Sequence, residues 1–148
     1  MHDKIEWRFA KNPATERVLN EVEKELNIRL PIAYRELLTR YNGARPKPNV
    51  IHSKGKSNGK VVKTFLNIYP IKGGIRDVMS WLKANIPQNV IPFANDPFGN
   101  YICFDYRSGK TTEPTIVFWD HESRNTVYIS GSFSHFLDEL CGSWGQVP

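Results

Sequence analysis

Cys103, Asp120 and His121 are the nearest this 148-residue chain comes to a nucleophile with a base and an orienting carboxylate. Cys103 stands in the strand-like run from Tyr101 to Tyr106, and a lone cysteine in such a run is usually a small buried hydrophobe. His121 and Glu122 are adjacent, so in a turn their side chains diverge, and no second His pair completes a metal or acid/base site. Asp120-His121-Glu122 therefore reads as a polar turn joining two strands. Gly73-Gly74, ahead of a helical pattern, could offer backbone N–H groups to phosphate. Without the rest of a P-loop or dinucleotide fingerprint it reads as a tight strand-to-helix turn. No catalytic residue, metal ligand or cofactor site is assigned, and the expected activity is binding, not catalysis.

Charge is the stronger signal. The formal net charge is +5, yet the segment from Leu37 to Arg76 holds nine Lys or Arg and no acidic residue, leaving 11 basic and 15 acidic residues elsewhere. The molecule is electrically two-sided if Arg40, Arg45, Lys47, Lys54, Lys56, Lys60, Lys63, Lys72 and Arg76 gather on one face. Such a segment could contact phosphates, and a nucleic-acid-binding domain using residues 40–76 is the alternative function. It lacks the interleaved aromatics of a single-strand platform and no reading helix bears its charges, so nucleic acid is not the expected partner.

The elements that must position these residues follow from periodicity. Asn12-Pro13 reads as a cap with proline at the first helical position, and Val18, Leu19, Val22 and Leu26 give a helix ending near Asn27. Pro31 starts a second helix with Tyr34, Leu37, Leu38 and Tyr41 on one face, stopped by Asn42-Gly43, and the two helices are expected to pack together. Residues 44–60 read as a mobile loop or irregular edge strand holding most of the basic charge. Val61 to Tyr69 reads as a strand, and Ile75, Val78, Met79 and Leu82 as a third helix. Strand-like runs then follow at 90–94, 101–106, 115–119 and 126–130, with turns at 96–100 and 121–125. Ser132 caps a last helix lined by Phe133, Phe136, Leu137 and Leu140. The predicted class is α+β, a single domain over 1–148 with its core at about 5–140. A mostly antiparallel sheet is covered by helices mainly on one face.

Hydrophobic residues make up 40% of the chain and aromatics 12%, enough apolar surface to offset the entropy of ordering it. The N-terminus leads into no apolar signal region and no run approaches a membrane span, so the expected location is the cytoplasm. Two cysteines with no CxxC spacing give no disulfide framework and no zinc site. Trp81 and Trp119 could serve as binding anchors, although core packing is the commoner fate of Trp in such runs.

Four motifs, in this order, carry a family resemblance. Leu30-Pro31-x-x-Tyr34 leads to Tyr41-Asn42-Gly43, and Ile91-Pro92-Phe93-Ala94-x-Asp96-x-x-Gly99-Asn100 follows. Val117-Phe118-Trp119-Asp120-His121-Glu122 and Ser132-Phe133-x-x-Phe136-Leu137 complete the set. Together they resemble the SUKH superfamily, which includes yeast cell-wall-assembly regulators and bacterial immunity proteins. The resemblance implies an α+β fold with a central sheet. It also implies a cytoplasmic antitoxin that neutralises a cognate polymorphic toxin, often a nuclease, encoded by a neighbouring gene, the inhibitor being a monomer or homodimer. Asp96, Asn100, Trp119, Asp120, His121 and Glu122 on one side, and Lys54, Lys56 and Lys60 on the other, are the expected partner-binding residues. Two features depart from the family pattern: Ala44 stands where a second glycine is common, and the chain is basic.

Overall fold

Near-continuous runs of apolar residues from Val90 onward, buried on both faces of the sheet, build the centre of the fold. In the computed structural model, which describes residues 4–52 and 59–142, these runs become β6 (Val90–Asn95), β7 (Tyr101–Asp105), β8 (Thr115–Trp119) and β9 (Thr126–Ser130). They follow β1 (Glu6–Arg8), α1 (Glu16–Leu26), α2 (Ile32–Tyr41), β2 (Arg45–Lys47), β3 (Val50–His52), β4 (Gly59–Val61), β5 (Thr64–Phe65) and α3 (Ile75–Leu82), and α4 (Phe133–Glu139) comes last. β5 to β9 form one five-stranded antiparallel sheet in sequence order, with Ile102 opposite Phe118 and Cys103 opposite Val117.

Because side chains alternate across a strand, the two faces differ. Ile91, Phe93, Ile102, Phe104, Ile116 and Phe118 join the main core with residues of all the α-helices, whereas Val90, Cys103, Val117 and Trp119 form a smaller cluster with Ile86 and Leu82. Phe93 is the hub of the larger side, stacked on Phe104 at 4.3 Å between ring centroids and meeting Tyr34, Phe65, Phe133 and Phe136 edge-on. The α+β class and the mostly antiparallel sheet are thus as expected from the sequence. No helix of the described residues is long and apolar enough to cross a membrane.

The helix ends need correction. Thr15, not Asn12, caps α1: its hydroxyl oxygen accepts the Val18 N–H at 3.2 Å, while the Asn12 carbonyl accepts the side-chain amide of Asn42. Asn27 ends the helix in the left-handed region at φ 55°, as expected. Pro31 is the residue before α2, not its first turn. The two helices do meet, through Arg35, whose guanidinium pairs with Glu16 at 2.9 Å and Glu23 at 3.0 Å. Ser132 caps α4 by accepting the His135 N–H.

The stretch from Ala44 onward is more regular than its composition suggests. β2 pairs with β1 and β3 with β4, each as a small antiparallel pair. β1 is a short strand that periodicity over an element's length does not reveal, and its partner lies far along the chain. The strand expected over 61–69 is broken instead: Val61 closes β4 and only Thr64–Phe65 joins the main sheet. At the break the backbone changes partners, the Val62 N–H going to the Asn49 carbonyl and the Lys63 N–H to that of Asn95. Beyond β5 the Asn67 side-chain oxygen accepts the Tyr69 N–H and the Asn42 amide, ending the extended run.

Asn42 is fully buried and uses both ends of its amide. Its Nδ2 donates to the Asn12 carbonyl at 2.7 Å and to Asn67 Oδ1 at 2.9 Å, while its Oδ1 accepts the Ile68 N–H at 2.9 Å. Asn42→Ala strands these groups away from water, so equilibrium urea unfolding should show a loss of about 2–4 kcal/mol. A loss below about 0.5 kcal/mol would show that Asn42 does not hold these segments together.

Candidate functional site

The β6–β7 and β8–β9 turns lie at the same end of the sheet, and hydrogen bonds join them. Asp96 is buried, and its Oδ1 accepts the N–H groups of Phe98 and Asn100, both at 2.8 Å, while its Oδ2 accepts the Asn100 side-chain amide at 2.9 Å. Asn100 in turn reaches the second turn: its Oδ1 accepts the His121 N–H at 2.9 Å and lies 2.6 Å from His121 Nδ1. With that oxygen as acceptor, the contact places the imidazole proton on Nδ1. Gly99, at φ +89°, sits under the His121 ring, where a Cβ would come to 3.5 Å. Asp120 shapes its own turn by accepting the Glu122 N–H at 2.9 Å. Asp96, Asn100, Asp120, His121 and Glu122 are therefore brought together as one clasp that presents His121 and Glu122 to solvent.

Trp119 lies beneath this clasp and not in it. It is 2% exposed and packed beside Tyr101, so it supports the turn and offers no face to a partner. Among the described residues Trp81, on α3, is the exposed tryptophan, at 55%. Cys103 is fully buried among Val90, Val117 and Trp119. Burial pushes its thiol well above the ordinary range, and the nearby Asp105 carboxylate adds to this while Arg107 opposes it. Its strand neighbour Val117 is four residues from His121, on the order of 10 Å along the chain, so thiol, imidazole and the Asp120 carboxylate do not form a reacting set.

The basic residues divide among separate roles. Arg76 is taken up by structure, with its guanidinium 3.0 Å from Glu25 and donating to the Ile68 carbonyl. Lys60 lies over the Phe118 ring at 4.3 Å, a cation–π contact that ties β4 to the main sheet. Lys54 and Lys56 lie outside the described residues. Arg45, Lys47 and Lys63 instead converge on a cavity of ≈ 480 Å³ that also takes in Arg8, Phe9 and Pro97. Beside it, a cavity of ≈ 280 Å³ adds Lys11 and Lys72 and shares Arg45 and Lys63 with the first.

Arg8, Phe9 and Lys11 are the residues of this surface that the sequence did not single out. The available signal was Trp7-Arg8-Phe9-Ala10-Lys11, where Trp7 is the apolar residue that turns inward, onto Phe65 and Tyr41. Pro97 places the clasp at the border of the groove, so the two candidate surfaces adjoin.

Comparison with known proteins matches this chain, over residues 13–139, to the model of the SMI1 / KNR4 family (SUKH-1). A curated relative, the SPbeta prophage-derived uncharacterized protein YokK of Bacillus subtilis (strain 168), is 24% identical over 147 residues, which cover 85% of this chain and 74% of the relative.

Asp96→Ala leaves two backbone N–H groups of the turn without their acceptor, and chemical denaturation should register a loss of about 1–3 kcal/mol. The buried and exposed thiols give a separate check. In folded protein at mildly alkaline pH, a disulfide-exchange reagent should titrate the exposed Cys141 and leave Cys103 untouched until denaturant is added. Rapid reaction of both thiols in the folded state would contradict the burial of Cys103.

Proposed function

Because the chain belongs to the SMI1 / KNR4 family (SUKH-1), we propose that it is an immunity protein, an antitoxin that binds one cognate polymorphic toxin and neutralises it by stoichiometric contact. The observation that carries this reading is the family match over residues 13–139, since members of the SUKH family are often immunity proteins. The prophage origin of the relative is in keeping with a gene of mobile, competitive systems.

Physical features support the same reading. Asp96 and Asn100 fix the turn before any partner arrives, so docking costs little ordering entropy there. An interface of about 1,600 Å² is the usual size for a specific inhibitor, and the clasp with its adjoining basic groove offers charged groups of both signs to set encounter and register. The toxin is a cytoplasm-directed effector such as a nuclease, and inhibition acts by covering its active site or a neighbouring exosite.

The test is co-expression with the toxin domain encoded by the neighbouring gene. Cells carrying both should grow, and the two chains should co-purify in equimolar amounts. Equal killing with and without this chain, or separate elution of the two proteins, would sink the proposal.

A further inference from the structure

The two adjoining cavities form one groove that gathers Arg8, Lys11, Arg45, Lys47, Lys63 and Lys72, and among the described residues no Asp or Glu lines either cavity. Charge of one sign is concentrated here from four separate parts of the chain, so it is a product of the fold and not of local sequence alone. The β1–β2 register makes the concentration severe. Trp7 and Pro46 face each other on the inner side, and Arg8 stands directly opposite Arg45 on the other. Like charges directly opposite in an antiparallel pair repel. Glu6 relieves Arg8, pairing with it at 2.8 Å, while among the described residues no carboxylate forms an ion pair with Arg45, Lys63 or Lys72.

The walls are apolar. Pro46, Val61 and Pro97 line the groove, and Phe9, 69% exposed, stands at its side with the Arg45 guanidinium 5.9 Å above its ring. Ile71, 51% exposed, lies in the second cavity. We propose that this groove is the docking site for an acidic segment of the partner protein, its carboxylates set against Arg45, Lys63 and Lys72 and an apolar side chain against Phe9 and Val61. The inference rests on the binding role proposed above and names the surface and the chemistry that surface selects.

A protein segment suits the groove better than a nucleic acid does. A single strand needs successive aromatic faces for its bases, and among the described residues Phe9 is the one exposed ring lining these cavities. Anionic groups interspersed with apolar side chains match a groove whose basic rim encloses proline and valine walls.

The experiment uses fluorescence anisotropy on the whole chain at low ionic strength. The probes are a short labelled peptide of alternating Glu and Leu, its Lys-for-Glu counterpart, and a labelled oligouridylate. The Glu/Leu peptide should bind and the other two should not. Arg45→Glu with Lys63→Glu should weaken that binding about tenfold or more with an unchanged melting temperature, since both side chains are exposed. Lys72→Glu, in the second cavity, repeats the test on a position away from the β1–β2 pair.

Tighter binding of the oligouridylate, lost in the same variants, would overturn the proposal in favour of nucleic acid. Binding of no probe, or Glu/Leu binding unaffected by the variants, would overturn it outright. In the co-expression assay, failure of the unaltered chain to protect counts against the immunity role whatever the groove does. Protection by the unaltered chain and equally by the Arg45→Glu, Lys63→Glu variant counts against the groove alone, and protection lost in that variant supports it.

Discussion

The Asn42 side chain is the point on which the rest of the architecture is hung. It joins the segment before α1, the end of α2 and the irregular chain after β5. Only a primary amide fits: the site needs two donated hydrogen bonds and one accepted, which a carboxylate cannot supply, and full burial leaves no space for the extra methylene of Gln. The next residue, Gly43, takes φ +71°, and a Cβ there would fall 2.7 Å from Lys11 Cγ. The main-chain carbonyl of Asn42 meanwhile accepts the Lys11 N–H at 2.7 Å. Asn42-Gly43 thus does more than stop a helix: it fixes Lys11 beside Asn67, and so one end of the basic groove.

The aromatic side of the sheet provides the second constraint. Rings around Phe93 interlock edge-to-face, an arrangement that fixes the spacing of α2 and α4 over the strands as well as burying area. A sheet held in this way delivers its two hairpin turns to fixed positions, and the Asp96–Asn100–His121 hydrogen bonds need only a short reach to join them. Rigidity at the turns comes from packing at the centre.

Much of this was legible from sequence because the strongest signals are local. The strands at 90–95, 101–105, 115–119 and 126–130 follow from short runs of apolar, β-branched and aromatic residues, and the turns between them from Asp, Gly and Asn. The clasp was half legible: Asp96, Asn100 and Asp120 to Glu122 could be chosen as turn residues, but not the hydrogen bond that joins Asn100 to His121 across 21 positions. Trp119 was read as both anchor and core candidate, and only packing against Tyr101 decides for core. β1 was illegible because a three-residue strand has no measurable period and its pairing with β2 is long-range. Nor could charge counting separate Arg76, bound to Glu25, from Lys63, which faces the groove.

These non-local contacts alter the meaning of the net charge. A basic segment on an extended chain interacts with any polyanion, whereas here Arg76 is withdrawn into an ion pair and Lys60 onto an aromatic ring, while Arg8 and Lys11 arrive from the N-terminal end. What remains is a groove of defined shape whose charges sit among proline, valine and phenylalanine. In a groove of this kind, shape and apolar contact would decide which anion stays, and charge mainly how quickly it arrives. Pro97 belongs to this groove and Asn100, three residues on, to the clasp, so a partner filling one surface would touch the same rigid turn that orders the other. A single interface spanning both would have a basic half and a half bearing His121 and Glu122, which would impose one orientation on a docked partner and disfavour partners of uniform charge.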